Sequence, residues 1–360
     1  MKPLNIHPDI RHAHTLPAAF YRDPAYAEAV KEKIFAKSWH YALDLVEIAA
    51  PGQAIPFTLL ENILDEPLVA CRGKDGALRV MSNVCTHRGN IVVEKPGTYR
   101  MLTCRYHGRC FRLDGTCKSM PAFEQVDGFP GTEDHLPAVP AESWMGMLFT
   151  GLAPIADLEG MTRPIRERLA WLPLSEMTFD PASSRNYTVN ANWALYCDNY
   201  LEGLHIPFVH PALNQAIDFA QYEYEVYPYC NLQIGIAGEN EPCFPIPAGH
   251  PDSGRRIYAY YYWLFPNLMF NFYPWGLSLN VVEPKGKDKT LVRFRTYRFP
   301  DALEAKSLGG LNQTEMEDEE VVLSVQRGVR SRLYKRGRFS PSMEQGVHHF
   351  HRLIADFLNA

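Results

Sequence analysis

Two cysteine–histidine pairs lie close together in the sequence. Cys85 and His87 form the first pair, Cys104 and His107 form the second, and sixteen residues separate the pairs. A structural zinc site usually takes its cysteines from one segment and its histidines from another. Here each pair supplies one thiolate and one imidazole, which suits a [2Fe–2S] cluster with one iron on two cysteines and the other on two histidines. We therefore predict an iron–sulfur cluster, with zinc as the less favoured alternative.

A second set of candidate ligands is the motif E-x-x-H-x-x-x-x-H, formed by Glu202, His205 and His210. Glu202 and His205 are three residues apart, which places them on one face of a helix predicted over residues 193–206. Pro207 must end or kink this helix, and the bend can bring His210 back towards His205. Two imidazoles and a carboxylate form the triad that holds non-haem Fe(II) with open coordination positions. The alternative is a pair of ordinary helix-end histidines.

An acidic stretch near the C-terminus can supply the carboxylate for such an iron. Residues 315–320 hold five acidic side chains, and the simple interpretation is a solvated helix start. Asp318 differs, because it shares the apolar face of a helix predicted over residues 315–328. Its neighbours on that face are Val321, Val322, Val325 and Val329. A carboxylate buried there requires a cation or strong donors. We predict Asp318 as the ligand, with Glu319 as the alternative.

The elements that position these residues differ along the chain. Residues 39–152 consist of short apolar runs separated by Gly, Pro and Asp, which is typical of a small all-β module. Apolar spacing predicts helices over residues 14–38 and 158–172, and alternating strands follow. The C-terminal helix is predicted to begin with Ser340 as its N-cap and Pro341 at its first position. The second half is therefore predicted to be α+β and built around a sheet.

Composition excludes several classes of function. The chain has 360 residues and a net charge of -5, so it offers no basic field for nucleic acid. The uncharged stretch over residues 257–282 contains Pro266 and Pro274 and many aromatic residues, which favours buried strands over a membrane span. The N-terminus lacks the apolar segment of a secretory signal. Eight cysteines in a chain of this length indicate free thiols and ligands in a reducing compartment, so we expect a cytoplasmic protein.

Both candidate sites resemble those of Rieske non-haem iron oxygenase α subunits, the ring-hydroxylating oxygenase family. The segments VCTHRGN and CRYHGRCFRLDG resemble the cluster loops of Rieske domains, with a departure at Arg109, where many members carry Trp. The second segment resembles N-x-x-[DE]-x-x-H-x-x-x-x-H, which Asn199, Glu202, His205 and His210 occupy. The family also places an Asp eight residues before the Gln of VQRG, which is Asp318 here.

The resemblance implies a fold and a residue-by-residue assignment. It implies an N-terminal helical segment over residues 1–38 that packs on the catalytic domain, an all-β Rieske domain over residues 39–155, and an α+β catalytic domain over residues 156–360. The catalytic domain is expected to contain a central antiparallel sheet flanked by helices. The cluster ligands would be Cys85, His87, Cys104 and His107. The iron ligands would be His205, His210 and Asp318. The catalytic residues would be Asn199 and Glu202.

The resemblance also implies a reaction and partners. The chain would be an oxygenase component that uses O2, mononuclear Fe(II) and electrons from a separate NAD(P)H-dependent reductase, received directly or through a ferredoxin. It would form a homo-oligomer, a trimer or a dimer of trimers, in which Glu202 bridges two metal centres across a subunit boundary. Within the family, the chain most resembles the choline monooxygenase-like branch, which implies a quaternary or methylated amine as substrate. Aromatic-ring dioxygenation is the alternative. A pure electron carrier or a zinc-stabilised binding protein would leave one of the two sites unexplained.

Aromatic residues downstream of the iron motif agree with a cationic substrate. Tyr222 and Tyr224 alternate along a predicted strand, as do Tyr227 and Tyr229. Phe265, Phe270, Phe272, Tyr273 and Trp275 follow in the uncharged stretch. Aromatic faces attract ammonium groups by about 0.5 to 2 kcal/mol each. The alternative is that these side chains form only the core of the sheet.

Overall fold

The computed structural model describes residues 2–300 and 308–360. The chain divides into two compact units. The smaller unit is Ala36–Ile155, and the larger unit combines Met1–Phe35 with Ala156–Ala360. The two candidate sites lie in different units, so each unit is described separately.

The smaller unit is built from short antiparallel strands. They are β1 (His40–Asp44), β2 (Gln53–Leu59), β3 (Glu66–Arg72), β4 (Leu78–Ser82), β5 (Gly97–Thr98), β6 (Leu102–Thr103), β7 (Cys110–Phe111), β8 (Cys117–Ser119), β9 (Ala138–Val139), β10 (Ala141–Trp144) and β11 (Met147–Thr150). Three sheets result, with strand orders β1-β11-β10, β5-β2-β3-β4-β9 and β6-β7-β8. A tight turn joins β3 and β4, where Gly76 adopts a positive φ that favours glycine.

The larger unit has one antiparallel sheet with helices. The helices are α1 (Pro24–Lys33), α2 (Leu158–Arg168), α3 (Trp193–Tyr200), α4 (Ile206–Val209), α5 (Pro211–Ala216), α6 (Leu308–Gly328) and α7 (Gln345–Asn359). The strands are β12 (Thr178–Val189), β13 (Glu223–Tyr227), β14 (Cys230–Ile236), β15 (Ile257–Leu264), β16 (Leu268–Tyr273), β17 (Gly276–Pro284) and β18 (Thr290–Arg298). The sheet runs β12-β18-β17-β16-β15-β14-β13. The predicted fold class, all-β plus α+β around an antiparallel sheet, is confirmed.

The uncharged stretch forms the centre of this sheet. It provides β15, β16 and most of β17, and nearly all of its side chains are buried. A central strand covered on both faces needs no polar alternation, which explains the long apolar run. None of the helices in the described part of the chain is long and apolar enough to cross a membrane.

Several predicted helix boundaries are wrong. The helix predicted over residues 14–38 is limited to α1, where Asp23 caps the start by accepting a hydrogen bond from the Ala25 amide. The helix predicted over residues 158–172 ends at Arg168. The C-terminal helix begins at Gln345 rather than at Ser340 and Pro341, because Glu344 folds back to accept a hydrogen bond from the Ser340 amide and closes a turn there. The predicted N-cap Ser340 is therefore wrong, because Glu344 occupies the N-cap position of this helix.

The most consequential difference concerns the helix predicted over residues 193–206. α3 ends at Tyr200, so Glu202 and His205 do not share a helix face. The Gly203 amide donates to the Tyr224 hydroxyl at 3.0 Å, and a Cβ at Gly203 would come within 3.0 Å of the Tyr222 ring. The chain therefore leaves the helix to lie against β13, and only glycine fits at this close approach.

Candidate metal centres

The two cysteine–histidine pairs occupy two turns of the same design. In the first turn the Gly89 amide donates to the Cys85 carbonyl at 3.0 Å, and in the second the Gly108 amide donates to the Cys104 carbonyl at 2.9 Å. Both glycines have a φ of +73°, a conformation that favours glycine. Each turn therefore starts at a cysteine, carries a histidine within it and ends at a glycine.

The donor atoms of these turns separate by type. Cys85 and Cys104 are each 2% exposed and belong to the core of the smaller unit. The two histidines face each other, with 3.2 Å between the Nδ1 atoms of His87 and His107. Asn90 donates its side-chain amide towards Cys104 Sγ at 3.6 Å. The two sulfur donors thus lie at one end of the site and the two nitrogen donors at the other, as a two-iron cluster of this type requires.

The same geometry disfavours a single zinc ion. Four ligands of one tetrahedral zinc would bring their donor atoms within a few ångströms of one another. Within the described residues, three or more such donor atoms come within 4.8 Å of one another only in the set His205, His210 and Asp318. The cysteine and histidine donors do not converge in that way, so the donor set fits a [2Fe–2S] cluster.

Arg109 connects the two turns. Its side chain is only 3% exposed, and its guanidinium donates to Thr86 Oγ1 at 2.7 Å and to Asp134 Oδ1 at 2.8 Å. Thr86 lies between Cys85 and His87 and donates its own hydroxyl to the Asp134 carbonyl at 2.7 Å. The guanidinium also lies 5.2 Å from the Phe129 ring centroid. The residue that replaces the common Trp therefore ties both ligand turns to a third segment, a role the sequence did not reveal.

The second candidate site lies in the larger unit. His210 Nε2 is 2.9 Å from Asp318 Oδ1, and His205 Nε2 is 3.5 Å from the same oxygen. The two imidazole rings are 5.0 Å apart and nearly perpendicular. His205 and His210 flank the short helix α4, which has Pro207 in its first turn, and Pro211 begins the next helix α5. Prolines therefore bring the two histidines together, although by bracketing a separate short turn rather than by kinking α3.

A carboxylate holds the other nitrogen of each histidine. His205 Nδ1 is 2.7 Å from Glu202 Oε1, and His210 Nδ1 is 2.8 Å from Glu317 Oε2. Each imidazole can therefore donate from Nδ1 and keep the lone pair of Nε2 for a metal ion that Asp318 Oδ1 would share, which is the usual arrangement around a protein-bound metal. Glu317 was not singled out from the sequence, although its place next to Asp318 on one helix is a usable signal.

The charges of this group suit a divalent cation. Burial opposes protonation of His210, but hydrogen bonds to Asp318 and Glu317 outweigh it and hold its pKa above the usual range. A metal ion at Nε2 would displace that proton and take over the same electrostatic role. The two neutral imidazoles and one carboxylate fit a mononuclear iron with open positions.

The two candidate carboxylate ligands in the acidic stretch of α6 occupy different positions. Asp318 joins the two histidines, and Glu319 does not. The buried face of α6 runs through Glu315, Asp318, Val322, Gln326 and Val329, whereas Val325 is 43% exposed, so the predicted valine face was partly wrong. A polar residue at 326 is tolerated because its side-chain oxygen accepts a hydrogen bond from the Asn192 amide at 2.8 Å.

Glu315 is a further acidic residue that the sequence did not single out. Both of its carboxyl oxygens lie within 2.8 Å of the Tyr196 hydroxyl. Burial raises the pKa of Glu315 to about 8. It is therefore largely neutral at pH 7.

A cavity of about 280 Å³ adjoins the three candidate iron ligands. Asn199 and Glu202 line it together with His205, His210 and Asp318. Its other walls include Tyr222, Tyr258, Tyr261 and Tyr273. Of the aromatic residues noted in the sequence, Tyr222 and Tyr273 therefore face the cavity, whereas Phe265, Phe270 and Phe272 are fully buried in the core. Tyr258 and Tyr261 were missed because their strand β15 has aromatic residues on both faces.

Two protein-family descriptions match this chain. The description "Ring hydroxylating alpha subunit (catalytic domain)" matches residues 176–360, and "Rieske [2Fe-2S] domain" matches residues 39–130. The first covers the sheet and helices around the cavity, and the second covers both cysteine–histidine turns.

Similar proteins extend over nearly the whole chain. The carnitine monooxygenase oxygenase subunit of Escherichia coli is 30% identical over 98% of this chain and 96% of its own length. Choline monooxygenase of Arabidopsis thaliana, described as chloroplastic, is 28% identical over 96% of this chain and 83% of its own length. A quaternary ammonium Rieske monooxygenase with a solved structure has a TM-score of 0.80 at 27% identity, covering 99% of both chains. Naphthalene 1,2-dioxygenase from Rhodococcus shares the fold, with a TM-score of 0.73 at 19% identity over 95% of this chain and 93% of its own.

Proposed function

The chain belongs to the Rieske-type ring-hydroxylating oxygenase family, and on that premise we propose that it oxidises a quaternary or methylated amine at a carbon next to nitrogen. It is a Rieske oxygenase by both of its domains. The observation that carries the substrate is the cavity beside His205, His210 and Asp318, whose walls hold six tyrosines. Tyrosine faces attract ammonium groups. The names of the carnitine and choline monooxygenases support the same substrate class.

Each cofactor has a proposed set of ligands in this chain. Cys85 and Cys104 would hold one iron of the [2Fe–2S] cluster, and His87 and His107 the other. The mononuclear iron would be held by His205, His210 and Asp318. When bound, the cluster supplies single electrons and the mononuclear iron supplies O2 activation. Iron and acid-labile sulfide analysis tests the assignment, because three irons and two sulfides per chain support it, whereas two irons indicate a pure electron carrier.

The residues around the mononuclear site have separate tasks. Glu202 and Glu317 would orient His205 and His210 through their Nδ1 atoms, at 2.7 Å and 2.8 Å. Asn199 lines the same cavity, where we propose that it helps to position the substrate. The tyrosine walls would hold the ammonium group and exclude water from it.

We further propose that the chain acts as a homo-oligomer, a trimer or a dimer of trimers. In that assembly Glu202 would link His205 to His107 of the partner subunit. The solved structure of the quaternary ammonium Rieske monooxygenase is described as revealing inter-subunit electron transfer, which supports this arrangement. Full activity of a monomer at high dilution would contradict it.

Electrons would come from a separate NAD(P)H-dependent reductase, directly or through a ferredoxin. The similar carnitine protein is named an oxygenase subunit, which supports a multicomponent enzyme. We propose a cytoplasmic location, where the eight cysteines, all free thiols in the structure, would stay reduced.

The deciding experiment is a substrate comparison. The iron-loaded protein is supplied with a Rieske reductase and NADH, and O2 uptake is followed with choline-type amines and with aromatic acids in separate reactions. Aldehyde formed in proportion to O2 from the amines supports the proposal. Coupled hydroxylation of the aromatic acids alone would overturn it in favour of an aromatic-ring dioxygenase.

A further inference from the structure

We propose that the cavity selects amines that carry no anionic group, an inference that rests on the proposed function and makes its substrate class narrower. Among the residues that the structure describes, no lysine or arginine lines the cavity. The acidic residues on its wall are Glu202, Glu241, Glu315 and Asp318. A substrate carboxylate that does not reach the iron would therefore lose its water without gaining a cationic side chain as partner, which is costly.

Glu241 is the acidic residue that is free to pair with a substrate cation. Glu202 is engaged by His205, Asp318 by both histidines, and Glu315 by Tyr196. The Glu241 carboxylate, by contrast, has no ion pair with any described residue and is half-buried at the cavity wall. It lies close enough to Tyr258 for its charge to add to burial in raising the pKa of that tyrosine.

The nearby arginine does not neutralise Glu241. The Arg256 guanidinium donates to the main-chain carbonyls of Gly238, Glu239 and Glu241, at 2.8, 3.0 and 3.0 Å. Arg256 thus fixes the loop that carries Glu241 and leaves its carboxylate available. A loop that is already held in place loses less entropy when it binds a ligand than a mobile loop does.

The tyrosines beside Glu241 complete a site for a cation. The Tyr273 ring lies 6.0 Å from Tyr258 and 5.9 Å from Tyr261, and both pairs meet edge to face. Tyr273 also stacks on Trp275 at 5.2 Å, which covers one of its faces. A tyrosine face that stays open to the cavity attracts a ligand cation and is unfavourable to an anion. Acidic and aromatic groups therefore favour the same ligand charge.

Two amide side chains that could bind a substrate carboxylate are already used. Asn271 donates its Nδ2 to the Ser278 carbonyl at 3.0 Å, and Gln233 donates its Nε2 to the Tyr200 carbonyl at 2.7 Å. Their side-chain oxygens accept from the hydroxyls of Tyr200 and Tyr222. These amides are held by their neighbours rather than turned towards an anionic ligand.

The test uses two trimethylammonium compounds that differ in one group. Choline ends in a hydroxymethyl group and glycine betaine in a carboxylate. Calorimetric binding to the iron-loaded protein and O2-coupled product formation are both measured. We expect choline to bind about tenfold more tightly or better, and Glu241→Gln to weaken choline binding by about tenfold while changing betaine binding little. Glu239→Gln, an exposed position on the same loop, is the matched control and should change neither.

The outcomes separate the two proposals. Equal or tighter binding of glycine betaine would overturn the charge selectivity, and so would an unchanged choline affinity in Glu241→Gln, while oxidation of either amine would leave the proposed function standing. If neither amine is bound or oxidised and aromatic acids are, the proposed function itself fails.

Discussion

Arg109 offers a direct test of how the ligand turns of the smaller unit are held. Replacing it with Met keeps a long side chain and all four cluster ligands but removes the charge. The substitution deletes the hydrogen bonds to Thr86 and Asp134, at 2.7 and 2.8 Å. Breaking a buried ion pair usually costs about 3–5 kcal/mol.

The expected cost lies below that range for a structural reason. Asp134 is 17% exposed and keeps a hydrogen bond from the Gly131 amide at 2.8 Å, so water and the main chain partly satisfy it. We expect a loss of about 2–3 kcal/mol in the free energy of unfolding. For a unit of this size that corresponds to a fall of roughly 6–15 °C in melting temperature.

The assay is thermal unfolding of the loaded protein, followed by the visible absorbance of the cluster. Arg88→Met is the matched control, because Arg88 adjoins His87 but is exposed, and its replacement should stay within about 0.5 kcal/mol of the parent. Potentiometric titration adds a second measurement: loss of a positive charge near the cluster should make its reduction potential more negative. A melting temperature within 2 °C of the parent, together with an unchanged reduction potential, would refute the idea that Arg109 holds the two ligand turns in place.

Three further predictions concern the larger unit. Glu317→Gln should lower iron affinity by about 10–100-fold because it weakens the hold on His210 Nδ1, whereas Glu320→Gln, which is exposed, should not; metal analysis after dialysis measures both. Glu202→Gln, assayed at saturating Fe(II) to offset a similar weakening at His205, should hold both metals yet lose nearly all turnover, and single-turnover kinetics will expose an error if electron transfer proceeds at the parent rate. Burial lowers the pKa of His349 from 6.5 to about 4, so between these values the unfolded chain binds a proton that the folded chain does not. Stability should therefore fall as the pH falls through this window, by up to about 3 kcal/mol, and His349→Gln should flatten the curve obtained by urea unfolding at each pH.

The sequence was most informative where ligands lie close together in the chain. The pairs Cys85–His87 and Cys104–His107 can be recognised because each turn holds its own ligands, and their spacing follows from the turn. His205 and His210 were recognised for the same reason, since one short helix separates them. Asp318 lies more than a hundred residues from the two histidines in the sequence. Its assignment therefore depended on its expected burial, and the family motif supported it.

The sequence was least informative where tertiary contacts override local preference. Gly203 is a local signal just beyond the end of α3, but the contact that draws the chain away involves Tyr224 on β13, which is distant in sequence. Glu317 lies in an acidic stretch that the sequence alone suggests is a solvated helix start. Only its contact with His210 shows that it has a role in the site. The aromatic residues of β15 and β16 could not be divided between core and cavity without the register of the sheet.

The two-histidine, one-carboxylate group also has a consequence for how the protein must be prepared. Such a nitrogen–oxygen donor set has no intrinsic preference for Fe(II), because Ni(II), Cu(II) and Zn(II) all bind it more tightly in the Irving–Williams order. The donor atoms of His205, His210 and Asp318 lie within 4.8 Å of one another, so these residues offer a site to whichever divalent metal is most abundant. Protein produced in zinc-rich medium should therefore carry a full cluster and still be inactive. Removal of the foreign metal with a chelator and anaerobic addition of Fe(II) should restore it, which makes metal supply in the cell a determinant of its activity.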